Sequence, residues 1–202
     1  MKLHKPADVH MTTAVSPACK VATWEAADAK SALSHPAAPD GKQSGAMMTA
    51  SMMQVVREQR LGFVATVNAD GTPNLSPKGT FAVVDAATVA FAEIRSPGTL
   101  RNLAANSAVE VNFVDAFSRR GCRLFGTARI VHRGGAGFDG WLPLFADHGG
   151  LVPRIRAVVL VAVTRALPLT SPAYDDGASE DELRRAWTSR FRALQPGGRF
   201  TE

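Results

Sequence analysis

Phe91-Ala92-Glu93-Ile94-Arg95-Ser96-Pro97-Gly98-Thr99-Leu100-Arg101-Asn102-Leu103 is the stretch on which the fold turns. Its first residues close a run, Thr88 to Ile94, rich in the β-branched and aromatic residues that favour a strand. The pattern then changes. Ser96 suits a helix N-cap, and Pro97 suits the first helical position, where no backbone N–H is needed. Leu100, Leu103 and Ala104 follow at helical spacing. A strand therefore ends and a short helix begins at Ser96. The free N–H groups of Gly98 and Thr99 would favour an anion there, with Arg95 and Arg101 adding positive charge.

Working back from this junction, residues 49–60 carry apolar positions at Met52, Met53, Val55 and Val56, which predict a helix that stops before Gly62. Leu61–Val67 reads as a strand, and Asn68-Ala69-Asp70-Gly71 as a tight turn. A second strand is expected from Thr72 to Val84, bent at Pro77 and Gly79. Asp85-Ala86-Ala87 turns the chain into the Thr88–Ile94 strand.

Working forward, Ala108–Val114 alternates apolar and polar residues, the mark of a half-buried strand. Cys122–His132 is a further strand, Gly134–Gly150 a short helix with loose ends, and Ile155–Leu167 the most apolar strand. Ser179 and the acidic residues after it cap a last helix reaching about Leu194, whose stripe of Trp187, Phe191 and Leu194 reads as a docking face. Hairpins in sequence without βαβ alternation predict a mainly β fold, an antiparallel Greek-key barrel with short flanking helices. Three parts are expected. Residues 1–46 form a low-complexity, disordered tail, 47–170 the barrel domain, and 171–202 a turn and helix packed on it.

The 202 residues carry a formal charge of +5. The excess lies in residues 47–170, which hold thirteen Lys/Arg against eight Asp/Glu. Such a balance suits an anionic small ligand. Nucleic acid is not expected as a partner, because the arginines are not interleaved with aromatics as a stacking platform requires. No apolar run approaches the ~20 residues of a membrane span, and no secretory leader is visible. Cys19 and Cys122 form neither a disulfide framework nor a metal motif, so a reducing cytoplasm is the expected setting, without a metal site.

Asp70-Gly71-Thr72-Pro73-Asn74-Leu75-Ser76-Pro77-Lys78-Gly79, the strand to Ile94, the Arg95–Leu103 junction and Ala108-Val109-Glu110-Val111 together resemble the pyridoxamine 5′-phosphate oxidase-like flavin-binding split barrels, over roughly residues 50–170. The resemblance is to the broad superfamily rather than to the biosynthetic oxidase. It implies a homodimer with FMN in clefts between the subunits. The second barrel strand would supply Ser76, Lys78, Gly79 and Thr80, and the junction Ser96, Gly98 and Thr99. Arg120 would contribute from the other subunit. The oxidase has an Arg-Lys pair where this chain has Gly98-Thr99, so the charge at the phosphate would come from Lys78, Arg95 or Arg101.

The implied activity is that of an FMN-dependent oxidoreductase acting on a small-molecule substrate, with no side chain assigned a catalytic role. Two other readings stay open: a non-catalytic flavin or small-ligand sensor, and a split barrel using a deazaflavin or haem. A chain beginning at Met47 is expected to keep its fold and its flavin, which circular dichroism and flavin absorbance check. Loss of flavin on truncation would mean that residues 1–46 cover the site.

Overall fold

The computed structural model describes residues 47–195, and the expectation for residues 1–46 lies outside them. The elements run α1 (Ala50–Gln59), β1 (Gly62–Val67), β2 (Pro73–Lys78), β3 (Phe81–Asp85), β4 (Thr88–Glu93), α2 (Pro97–Ala105), β5 (Ala108–Val114), β6 (Arg120–His132), α3 (Phe138–Trp141), β7 (Ala157–Thr170) and α4 (Glu180–Leu194). A 3-10 segment, Leu142–Arg154, joins α3 to the approach of β7.

All seven strands form one antiparallel sheet in the order β2-β1-β5-β6-β7-β4-β3. β2 and β3 are thus the two edges of the sheet, yet only Gly79 and Thr80 separate them in sequence. The three steps from Lys78 to Phe81 span at most ~10 Å, so the sheet must curl until its edges approach. The result is the split barrel expected from the run of hairpins. One expectation is corrected. The strand drawn from Thr72 to Val84 does not merely bend at Gly79 but ends there, and its halves pair with different neighbours, β1 and β4.

The barrel interior holds Val64, Phe81, Phe91, Val111, Phe113, Leu124 and Val159, with Met52 and Val56 of α1 packed against them. Phe81 stands edge-on to Phe113, ring centroids 4.7 Å apart. A side chain at Gly62 would collide with both rings, so that close approach requires glycine. β4 is buried on both faces. Its Ala90 and Ala92 point outward beneath Phe138, Phe145 and Ile155, so the 138–154 segment forms a second apolar layer. An uninterrupted apolar run is what a doubly covered strand demands.

α4 begins with a capping box, in which Ser179 and Glu182 exchange hydrogen bonds. No residue of α4 is fully buried, and Leu194 is 66% exposed, so the expected docking face is only half used. Polar ties hold the helix instead. Arg184 Nη2 lies 2.7 Å from Asp115 Oδ2, Arg119 stacks on Trp187 at 4.2 Å, and Phe191 meets Phe117 at 5.4 Å. Burial alone would raise the Asp115 carboxyl. The Phe117 N–H, the Ser118 hydroxyl and N–H, and Arg184 outweigh that and hold it below the ordinary carboxylate range. Among the described residues no helix is long and apolar enough to cross a membrane. Cys122 lies in the core, where burial pushes its thiol up to about 12. It is inert packing.

Because the Asp115 value is depressed on folding, its contribution is present above the unfolded carboxylate value and is lost as pH falls through the folded one. Acidification below about pH 4 is expected to release α4 before the barrel unfolds, and Asp115→Asn to loosen it at neutral pH. Hydrogen exchange of the α4 amides checks both. Unchanged protection in the variant would remove the tether.

Candidate functional site

β2 ends at Lys78 and β4 ends at Glu93, two strands that are not neighbours in the sheet. They meet because the curled sheet brings its edges together. Lys78 Nζ lies 3.0 Å from Glu93 Oε2 and donates to Ser76 Oγ at 3.1 Å. Both side chains are buried, the lysine residue 6% exposed and the glutamate 1%. The other carboxylate oxygen, Oε1, accepts from the Ser96 backbone N–H. One buried carboxylate therefore holds the end of β2 and the first turn before α2. Thr80 completes the seam, its hydroxyl donating to the Ala92 carbonyl at 2.7 Å.

Over this seam lies an open cavity of about 360 Å³, floored by Lys78, Gly79, Thr80 and Glu93 and walled by Arg95 and Ser96 on one side and Leu151 and Arg154 on the other. A Cβ at Gly79 would meet nothing within 4 Å, so the backbone there is open to a ligand. Leu151 and Arg154 come from the 142–154 segment, whose kink at Gly149 requires a positive φ of 50°.

The sequence-predicted residues fall into three groups. Lys78, Gly79, Thr80, Arg95 and Ser96 line the cavity, and Ser76 stands behind it with its hydroxyl 3.5 Å from that of Ser96. Gly98 and Arg101 are together at the start of α2, where the guanidinium lies 3.8 Å from the position a Gly98 Cβ would take. Thr99 and Arg120 are elsewhere. Thr99 is 2% exposed and is not among the residues lining the cavity. Arg120 stacks on Tyr174 at 4.3 Å and faces Glu180 at 3.6 Å, away from the seam within one chain.

Two expectations change in kind. Ser96 precedes the helix as expected, but its side chain makes no capping bond and its ψ of 66° lies outside the extended region of a usual cap. Its backbone N–H is taken by Glu93 instead. Lys78 was one of three residues expected to bring charge to the phosphate, and its own charge is matched by Glu93. The positive charge left to face a ligand belongs to Arg95 and Arg154, which have no ion-pair partner among the described residues.

Glu93, Leu151 and Arg154 were missed. Glu93 carried a signal, since a carboxylate inside an apolar strand needs a buried partner and Lys78 is the single lysine of residues 47–170. Leu151 and Arg154 carried none, because a loosely patterned segment brings them over the seam. Among the described residues no group of three His, Cys, Asp or Glu side chains could hold a metal.

The profile of the family described as pyridoxamine 5′-phosphate oxidase matches residues 48–166. Among solved structures, the HupZ protein of Group A Streptococcus is 32% identical, with a TM-score of 0.54, and the match covers 62% of this chain and 96% of that one. An FMN-binding protein of Syntrophomonas wolfei shares the fold at 13% identity and a TM-score of 0.51, covering 59% of this chain and 84% of its own. A comparison with curated proteins found no match.

Removing one member of a buried ion pair strands the other, at a cost of about 3–5 kcal/mol. Glu93→Ala is expected to lose stability on that scale, whereas the double change Lys78→Met with Glu93→Leu loses far less. Urea denaturation of the three proteins checks this. Equal losses for the single and double variants would mean that the pair is not coupled.

Proposed function

The chain belongs to the pyridoxamine 5′-phosphate oxidase family, and from that premise we propose that it binds FMN at the barrel seam and serves as a flavin-dependent oxidoreductase on a small molecule. The observation that carries this reading is the cavity over the Lys78–Glu93 pair. It combines an exposed glycine backbone at Gly79, hydroxyl groups at Thr80 and Ser96, and two uncompensated arginines, Arg95 and Arg154. A phosphate dianion needs such cations and donors. Gly98 and Arg101, at the start of α2, would lie on the same phosphate side.

At about 360 Å³ the cavity is near the low end for ligand pockets. In this reading it takes one end of FMN, and a second copy of the chain covers the rest, bringing Arg120 to the site. An exposed apolar face supports the homodimer. Phe63 and Val67 of β1 and Leu75 of β2, which is 63% exposed, lie beside one another on the outside of the sheet. Contiguous apolar surface of this kind marks an association site.

When bound, the flavin supplies the hydride-transfer chemistry. The residues of the chain bind and orient it. Ser96 and Gly79 present a hydroxyl and open backbone, Ser76 supports Ser96 and Lys78 from behind, and the seam excludes water from the buried pair. Lys78, with its Nζ fixed by Glu93 and Ser76, keeps a cation of defined position under the ligand. The reading includes a cytoplasmic setting, where the Cys122 thiol stays reduced.

The purified protein is expected to be yellow and dimeric, and to bind FMN about ten- to a hundred-fold tighter than riboflavin, the worth of a charge-assisted hydrogen bond at the phosphate. Calorimetry with the two flavins and sedimentation of the loaded protein check this. Equal affinities would remove the phosphate seat, and a flavin-loaded monomer would remove the shared cleft.

A further inference from the structure

Where β4, β6 and β7 finish, at one end of the barrel, the register collects positive charge. His132 and Glu93 both pair with Ala157, so these three residues form the last full row across the strands. One step further, the Arg133 N–H donates to the Arg156 carbonyl at 2.9 Å, and the Arg156 N–H donates to the Glu93 carbonyl at 2.8 Å. Arg133 and Arg156 thus stand on adjacent strands, about 4.8 Å apart in the pairing direction, with Arg95 just past the end of the third.

Arg154 joins them from the 142–154 segment. Together with Ile94 the four arginines line a hollow of about 410 Å³ that has no carboxylate in its wall. It shares Ile94, Arg95 and Arg154 with the seam cavity, so the two adjoin.

Like charges set side by side repel, and no carboxylate relieves them here. Among the described residues none of Arg95, Arg133, Arg154 and Arg156 has an ion-pair partner, and it is their convergence on one hollow, rather than the lack of a partner alone, that sets them apart. The nearby Glu93 side chain is buried and matched by Lys78. The hollow is also built rather than loose. The Arg133 guanidinium donates to the carbonyls of Ile155 at 2.7 Å and Pro153 at 3.1 Å and rests on the Phe138 ring at 5.1 Å. Those neutral acceptors fix the turn carrying Arg154 and leave the charge of Arg133 unspent.

We propose that Arg133 and Arg156, which line the hollow but not the seam cavity, form an anion subsite that borders the cofactor's phosphate seat at Arg95 and Arg154 and takes the phosphate or carboxylate of the small molecule reacting at the seam. Its assignment to the reactant rests on the FMN reading, and its existence as an anion site does not. The planar fork of arginine suits both groups, because each can accept two parallel N–H bonds. The substrate class that follows is an anionic small molecule, bound with its charged group at the barrel end and the remainder reaching over Gly79.

Inorganic pyrophosphate is the probe, titrated calorimetrically into the full chain with and without FMN. Arg156→Gln is the test variant, since Arg156 is exposed and lines the hollow but not the seam cavity. Pyrophosphate is expected to bind the FMN-loaded protein, about tenfold or more weakly in Arg156→Gln, with partial recovery in Arg156→Lys and FMN affinity unchanged. Unchanged pyrophosphate affinity in Arg156→Gln would overturn the subsite. One-for-one displacement of FMN by pyrophosphate, with both weakened equally in the variant, would also overturn it, because the arginines would then hold the cofactor's phosphate. If FMN does not bind at all, the flavin reading falls alone, and titration of the ligand-free chain judges the subsite: weaker pyrophosphate binding in Arg156→Gln supports it, and unchanged binding overturns it.

Discussion

The ion pair between Lys78 and Glu93 is the constraint on which the rest of the site depends. The chain crosses from one edge of the sheet to the other through Gly79 and Thr80, and β2 and β4 are not paired as neighbours. The Thr80–Ala92 hydrogen bonds extend the β3–β4 ladder by one rung, but it is the ion pair that links β2 to β4 and, through the Ser96 N–H, to the approach of α2. A buried pair of this kind adds little net stability over an apolar pair of equal volume. Its contribution is geometric. A single buried carboxylate with two required donors leaves few arrangements in which nothing is stranded.

The same pair explains why the cavity over the seam is polar at its floor yet not charged by it. Lysine and glutamate cancel at the base, so the field in the cavity is set by the arginines of its walls, Arg95 and Arg154. These sit on segments outside the strand ladders, one just past the end of β4 and the other on the 142–154 segment. The floor is held rigid by strands, while the residues that face a ligand lie on connections, a division common where a fixed scaffold carries adaptable contacts.

Most of the fold was legible because its elements obey short-range rules. Thr49 accepts from the Met52 N–H at the head of α1, Gly71 takes the positive φ its turn requires, and the alternation of Ala108–Val114 is the burial pattern of β5. The site was less legible. Gly79 announced a bend, but whether a strand bends or breaks depends on which neighbours each half finds, and here β1 and β4 end up at opposite sides of the sheet because β5, β6 and β7 come between them. Thr99 was expected at the ligand because a helix start exposes N–H groups, and how deeply it is covered depends on the packing of α2, where Asn102 and Leu103 are buried with it.

Charge shows the same limit most clearly. Composition places an excess of five positive charges in residues 47–170, and nothing in the order of residues says where they gather. Arg95, Arg133 and Arg156 lie up to sixty-one residues apart in sequence. They become neighbours only because His132, Ala157 and Glu93 share one row of the sheet. A shift of either pairing by one residue would turn alternate side chains to the opposite face and scatter the group. The register that buries Val158 and Ala92 beneath Phe138 and Phe145 is therefore the register that assembles the arginines. An apolar requirement on one side of the sheet fixes an electrostatic feature at its end, and the second apolar layer helps to shape the site without touching the ligand.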